Sequence, residues 1–340
     1  MPSAESNMEG FFLTEPRPDQ VYVELSALEG GQLTLPEKMF ITEADLERRV
    51  TVPSLSFLIR HPSGISGKPT NILFDLGMKR NAEEFSPTMQ AHISNRQPTI
   101  VHSDVADSLR GGNLEPSSID LVLLSHVHWD HVGTPDDFSE AQFIVGAGTL
   151  NMLHHGAPPH YPADNFIPDL LPEDRTRELP PAPTNTTPDA GAPEIFPAPK
   201  SQQTTHEWNP LGPFPAAVDL FGDGSIYIIN SPGHLIGHIN LLVRLSETKW
   251  VYLGGDCCHD IRILHGEKDI ALYSDGHGGK RSVHIHTEGA QGTLGRIRDM
   301  MDEFNKIAVE THSEQIVEVI VAHDGGWRER NPSKFFPGKV

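Results

Sequence analysis

Nine consecutive residues, Ser125-His126-Val127-His128-Trp129-Asp130-His131-Val132-Gly133, constrain this chain more than any other stretch in it. They follow the apolar run Leu121–Leu124, which reads as a buried strand, so three imidazoles and a carboxylate arrive together at its carboxyl end. One such histidine alone would read as a packed core residue. Crowded within six residues, these groups would repel one another as cations below neutral pH. A divalent metal removes that conflict by binding neutral imidazole and ionised carboxylate.

The rest of the chain can supply such a strand with neighbours. Short apolar runs at Val21–Leu25, Leu55–Ile59, Asn71–Leu76, Phe143–Val145, Ile226–Ile229, Ile239–Leu245, Trp250–Leu253 and Ile316–Ala322 read as further strands. Their continuous rather than alternating character points to sheets covered by helices. Helical spacing marks Ser103–Arg110, stopped by Gly111-Gly112, then Ala147–His155 and Glu288–Ile307. Strands and helices thus intermix in both halves, an α/β pattern. Between about 156 and 215 the periodicity vanishes, and fifteen of the 29 prolines fall there, which excludes a central strand or a helix interior. Because both flanks carry candidate ligands, the expected organisation is one domain over 1–340 with a proline-rich surface loop inserted in it.

The spacing His126-x-His128-x-Asp130-His131 resembles the signature of the metallo-β-lactamase superfamily, and three later stretches match its pattern in order. These are Ser231-Pro232-Gly233-His234, Leu253-Gly254-Gly255-Asp256 and Ile320-Val321-Ala322-His323, each just past an expected strand, where open sheets present residues to a crevice. The resemblance covers roughly residues 20–155 and 216–325. It implies an αββα sandwich with two metals at one edge. His126, His128 and His234 would hold the first, Asp130, His131 and His323 the second, and Asp256 both. Zinc suits this nitrogen and oxygen set, with manganese or iron as alternatives. Two metals about 3.5–4 Å apart can share a hydroxide and lower the pKa of that water towards 7, so no serine or cysteine nucleophile is needed.

Other residues have readings beside this set. Asp75, in Phe74-Asp75-Leu76-Gly77, resembles an early acidic motif of the family, and would accept a hydrogen bond from a ligand histidine; the alternative is an Asp that starts a turn. Asp130 is placed to take up the proton released when the hydroxide attacks. His238 reads as a supporting or packed residue rather than a ligand. His259 stands three residues after Asp256, where bacterial acyl-homoserine lactonases carry a tyrosine; it is a candidate proton donor, or a surface residue. His284 and His286 alternate as on a strand, a spacing that means a third metal site or nothing, and they read as carrying no site. Tyr161, Phe166 and Trp208 of the insert are expected to wall the substrate pocket.

Composition narrows the function. A formal net charge of −20 disfavours nucleic acid and anionic membrane surfaces as partners. No run of about 18 apolar residues could span a bilayer, and Met1–Ser6 lack the start of an export signal, so the expected address is the cytoplasm. The two cysteines, Cys257 and Cys258, are adjacent and indicate no disulfide framework. Oligomeric state is not readable. Among reactions of the resembled superfamily, the leading expectation is hydrolysis of a small lactone or lactam. A glyoxalase II type of thioesterase stands second and a phosphodiesterase third. A metal-binding scaffold without catalysis is disfavoured by the intact ligand positions.

Overall fold

The computed structural model describes residues 15–62, 67–183, 191–276, 278–312 and 316–340. Two six-stranded sheets organise them. In chain order the first uses Glu24–Leu28, Ser56–His61, Thr70–Phe74, Leu121–Leu123, Gln142–Val145 and Thr176–Glu178, side by side in that sequence. Its first three strands pair antiparallel and the rest parallel. The second runs Ile316–Ile320, Lys249–Leu253, Ile239–Arg244, Ile226–Asn230, Phe214–Asp219, Asn209–Leu211. There the Lys249–Leu253 and Ile316–Ile320 pair is parallel and its neighbours are antiparallel.

Period-two geometry explains the layers. Along Thr70–Phe74, Ile72 and Phe74 join a core with Ile228, Leu241, Val243 and Leu253 of the other sheet, whereas Leu73 points the opposite way, to Leu109 and Met152 of two helices. Along Ile239–Arg244, Leu241 and Val243 face the first sheet and Leu242 packs with Leu294, Ile297 and Phe304 of the helix Thr287–Thr311. Each sheet is therefore buried on both faces, by the other sheet and by helices, which is why its strands read as unbroken apolar runs. The result is the αββα sandwich.

Every expected strand and helix is present, with shifted ends. Val21–Leu25 begins later, as Glu24–Leu28, and Ser103–Arg110 is Val105–Gly111, where Asp104 accepts the N–H of Asp107 as N-cap. Several elements were not foreseen: the hairpin Gln32–Pro36 with Arg49–Pro53, the helix Pro87–Ser94, and short strands within the insert. The insert is more than a surface loop. Thr176–Glu178 forms the edge of the first sheet, and its buried Glu178 accepts the N–H groups of Leu150 and Ala198, both at 2.7 Å. An edge position is where a proline-flanked strand can pair. Cys257 and Cys258 are buried free thiols. No helix among the described residues is long and apolar enough to cross a membrane. Met1–Ser6, and residues 184–190 of the insert, lie outside the described residues.

Candidate metal centre

Four strand ends meet at one edge of the sandwich. The loop after Leu121–Leu123 brings His126, His128, Asp130 and His131, while the ends of Ile226–Asn230, Lys249–Leu253 and Ile316–Ile320 bring His234, Asp256 and His323. His126 Nε2 lies 3.0 Å from His128 Nδ1 and 3.2 Å from His234 Nε2, and the last two atoms are 3.0 Å apart. Asp256 turns one oxygen to each side. Its Oδ2 is 3.4 Å from His234 Nε2 and 3.8 Å from His126 Nε2; its Oδ1 is 3.1 Å from His131 Nε2 and 3.2 Å from His323 Nε2. Asp130 Oδ2 stands 3.6 Å from His323 Nε2. The geometry thus brings together all seven residues singled out in the sequence, in two groups that Asp256 adjoins.

The outer hydrogen bonds settle which nitrogens face inward. Asp75 accepts from Ser125 N at 2.6 Å, from Ser125 Oγ at 2.7 Å and from His131 Nδ1 at 2.9 Å. Ser125 Oγ, having donated its proton, accepts from His126 Nδ1 at 3.0 Å. His323 Nδ1 donates to Pro53 O at 2.7 Å. His126, His131 and His323 therefore turn Nε2 into the cluster, where it offers a lone pair whenever the ring is neutral. Asp75 itself holds φ at +61°, a left-handed conformation that Asp tolerates better than most residues and that marks functional sites. Gly255, at φ +47°, lets the chain turn beside Ser125: a Cβ there would come within 2.9 Å of Ser125 Cβ.

These atoms do not satisfy one another. Three lone-pair nitrogens at mutual contact repel, and among the described residues His131 Nε2 and Asp256 Oδ1, which both face inward, are buried without a hydrogen-bond partner. Tetrahedral zinc with bonds of about 2.0–2.1 Å places its nitrogens about 3.3 Å apart, close to the spacing of the first group. The residues present therefore fit divalent metal.

Charge divides the two groups. Burial, reinforced by neighbouring imidazoles, pushes His126, His128 and His234 well below the ordinary histidine value. Burial also opposes charge on His131 and His323, but the Asp256 carboxylate, with Asp75 and Asp130, overcomes it and holds both above that value. Asp256 lies well below the usual carboxylate range: burial works against ionisation, and His323 and His131 outweigh it. Without metal, one group is neutral and ready to bind, and the other is an ion-paired proton store.

His259 lies against this set, its Nε2 3.2 Å from Asp256 Oδ2 and its ring 4.7 Å from that of Phe40, so the surface reading does not hold. Asp256, His259 and His323 form a further group that could hold an ion. His238 supports the site through its backbone: Nδ1 donates to Ser231 O at 3.1 Å, Nε2 accepts from Asp256 N at 3.3 Å, and burial pushes its pKa down to about 4. His284, read as carrying no site, instead sets its Nδ1 3.2 Å from His234 Nδ1, so it can accept that ligand's outer N–H. Nothing local in the sequence marks a contact between residues fifty apart. The insert reaches the cavity through Tyr161, whose ring is 4.9 Å from His128, with Phe166 behind it. Trp208 does not; its Nε1 donates to Pro180 O at 2.7 Å, away from the cavity. Leu33, Leu35, Phe40, His92 and Arg96, which the sequence reading missed, complete the cavity walls.

The metallo-beta-lactamase superfamily model matches residues 50–254. Over 261 residues the chain is 30% identical to the cytochrome P450 monooxygenase mpaDE of Penicillium roqueforti, covering 74% of this chain and 27% of that protein. Over 212 residues it is 31% identical to the gamma-lactamase FDB1 of Fusarium pseudograminearum, covering 61% of this chain and 45% of that one. The chain thus spans about a quarter to a half of these relatives. A crystal structure of a quorum-quenching N-acyl homoserine lactone lactonase superposes with a TM-score of 0.57 at 15% identity, covering 94% of this chain and 99% of that one, a likeness of fold.

Proposed function

Because the chain belongs to the metallo-beta-lactamase superfamily, we propose that it is a hydrolase which holds two zinc ions and opens a small cyclic ester or amide. The observation that carries this reading is the split of Asp256, one oxygen toward His126 and His234 and the other toward His131 and His323, with imidazole nitrogens turned inward on both sides. His126, His128 and His234 would hold one ion, and Asp130, His131 and His323 the other. When bound, such ions would supply Lewis acidity for a substrate carbonyl and a coordinated water of pKa about 7. The lactone and lactam preference draws support from the similarity to the gamma-lactamase of Fusarium pseudograminearum.

The chain's own groups have distinct tasks. Asp130, beside His323, offers a carboxylate oxygen that can hold the proton leaving the attacking water. His259 stands beside Asp256, its Nε2 3.2 Å from Oδ2, and its imidazole is the candidate proton donor to the leaving oxygen or nitrogen. Leu33, Leu35, Phe40 and Trp129 shield the reacting bond from bulk water, and the cavity, about 50 Å³, suits a small substrate presented at its mouth. The test is a side-by-side assay of the zinc-loaded protein on γ-lactones, γ-lactams, acyl-thioesters and a phosphodiester. Turnover of lactone or lactam above the others is expected; efficient kcat/KM on thioesters with lactones and lactams inert would overturn the reading.

A further inference from the structure

One wall of the cavity has no task in the hydrolytic step. Arg96 follows the helix Pro87–Ser94, and its partly buried side chain lines the cavity together with His128, Asp130 and His323. The backbone that carries it is held firmly. Arg96 N donates to Ile93 O and its carbonyl accepts from Thr34 N, both at 2.8 Å, while Arg49 Nη2 donates to Asn95 O at 2.8 Å. Yet no hydrogen bond or ion pair joins the Arg96 guanidinium to any described residue.

A guanidinium has five N–H donors and does not shed its proton, so one left half-buried without a counter-ion costs free energy unless a ligand satisfies it. Burial pushes Arg96 below its ordinary value and the Asp130 carboxylate raises it, but Asp130 does not pair with it. Burial, then the charge of Arg96, also lowers His92 on the same wall, which keeps that imidazole neutral. The wall therefore presents one fixed cation, the Arg96 guanidinium beside the His92 imidazole, and a single guanidinium fits a single planar anion better than a polyphosphate.

We propose that Arg96 binds a carboxylate carried by the substrate away from the bond that is cleaved, so that the enzyme acts on lactones or lactams bearing a free acid. This rests on the reading of the site given above. The overall acidic charge acts on encounter at long range and is screened beyond about 8 Å at physiological ionic strength, whereas pairing with Arg96 acts at contact.

The experiment compares N-succinyl-homoserine lactone with its methyl ester, at about 0.15 M ionic strength, on the zinc-loaded wild type, Arg96→Ala and Arg96→Lys. The wild type should favour the acid by roughly tenfold in kcat/KM, through KM, and Arg96→Ala should bring the acid-to-ester ratio near one. Arg96→Lys, which keeps the charge without the planar fork, should fall between; it also serves if the alanine variant does not fold. Equal rates on acid and ester in the wild type, or an equal loss on both in the variants, would overturn the proposal. If both lactones are inert, the hydrolytic reading fails, and binding decides separately: calorimetry should show the ring-opened N-succinyl-homoserine bound roughly tenfold more weakly by Arg96→Ala than by wild type, with Arg96→Lys in between, and unchanged affinity in both variants refutes the role of Arg96.

Discussion

Replacing Asp75 by Asn tests how the outer hydrogen bonds govern the metal-binding atoms. Asn matches Asp in volume and also tolerates the φ of +61°, so the substitution alters donors and acceptors while leaving the backbone at ease. Asp75 Oδ1 accepts from Ser125 N, and Oδ2 accepts from both Ser125 Oγ and His131 Nδ1. An amide must keep its carbonyl toward the backbone N–H, since that donor cannot turn around. Its NH2 then faces Ser125 Oγ and His131 Nδ1. The serine hydroxyl can rotate, but His131 must move its proton to Nε2, the atom that faces Asp256 Oδ1 at 3.1 Å. The imidazole becomes a donor to Asp256 and loses its inward lone pair. Metal affinity in the group of His131 should fall about 10–100-fold, the usual cost of losing a residue that orients a ligand. The group of His126, held by Ser125, should suffer less. In the metal-free protein, where His131 already pairs with Asp256, two lost hydrogen bonds to a charged acceptor cost about 3–6 kcal/mol of stability. Chelator-buffered zinc titration followed by elemental analysis reads the affinities, and denaturant unfolding of the metal-free protein reads the stability. Two ions bound at wild-type affinity by Asp75→Asn would refute this chain of reasoning.

Other outcomes follow from the same geometry. Because His131 and His323 are held above their ordinary value, the stability from their pairing with Asp256 in the metal-free protein should be full below about pH 6.5 and fade as pH rises through the raised values. Metal must displace those protons, so affinity in that group should climb over the same window, with proton uptake by the buffer visible in calorimetry; a pH-independent second affinity would contradict it. Asp130→Asn should lower kcat by about 100-fold or more while removing less of the metal, checked by assaying metal content and turnover on one preparation. His259→Ala should slow lactone opening more than thioester hydrolysis, since a thiolate leaves without a proton donor; equal slowing would remove His259 from that role. Gly255→Ala should destabilise by about 1–3 kcal/mol, because its φ of +47° and the 2.9 Å approach to Ser125 Cβ oppose a side chain; unfolding midpoints decide it.

What the sequence disclosed and what it hid have physical reasons. Residues at the ends of doubly buried strands announce themselves: the apolar run is local, and His126, His128, Asp130 and His131 follow it within a few positions. Thr176–Glu178 left no such trace, since its buried residues are Thr176 and Glu178, a threonine and a hydrogen-bonded carboxylate. The helix Pro87–Ser94 buries only Met89 and Ile93, too little for a helical stripe, so Arg96 just beyond it could not be placed at the cavity. His284 meets His234 only because the segment before the long helix folds back over the site. Trp208 was placed at the pocket on its apolar bulk alone, and bulk says nothing about direction; its indole N–H found Pro180 O instead.

Each proposed metal-binding group draws on both halves of the sandwich: His126 and His128 come from the first sheet's loops and His234 from the second's, and His131 likewise meets His323 across the seam. Bound ions would then act as rivets between the two sheets, and their affinity becomes a gauge of how well the sheets are seated on each other. An ion present at a thousand times its Kd adds about 4 kcal/mol to the free energy of unfolding. A core substitution far from the site, such as Leu241→Ala between the sheets, should therefore loosen zinc as well as the fold, and stripping the metal should expose weaknesses in the core that the loaded protein conceals.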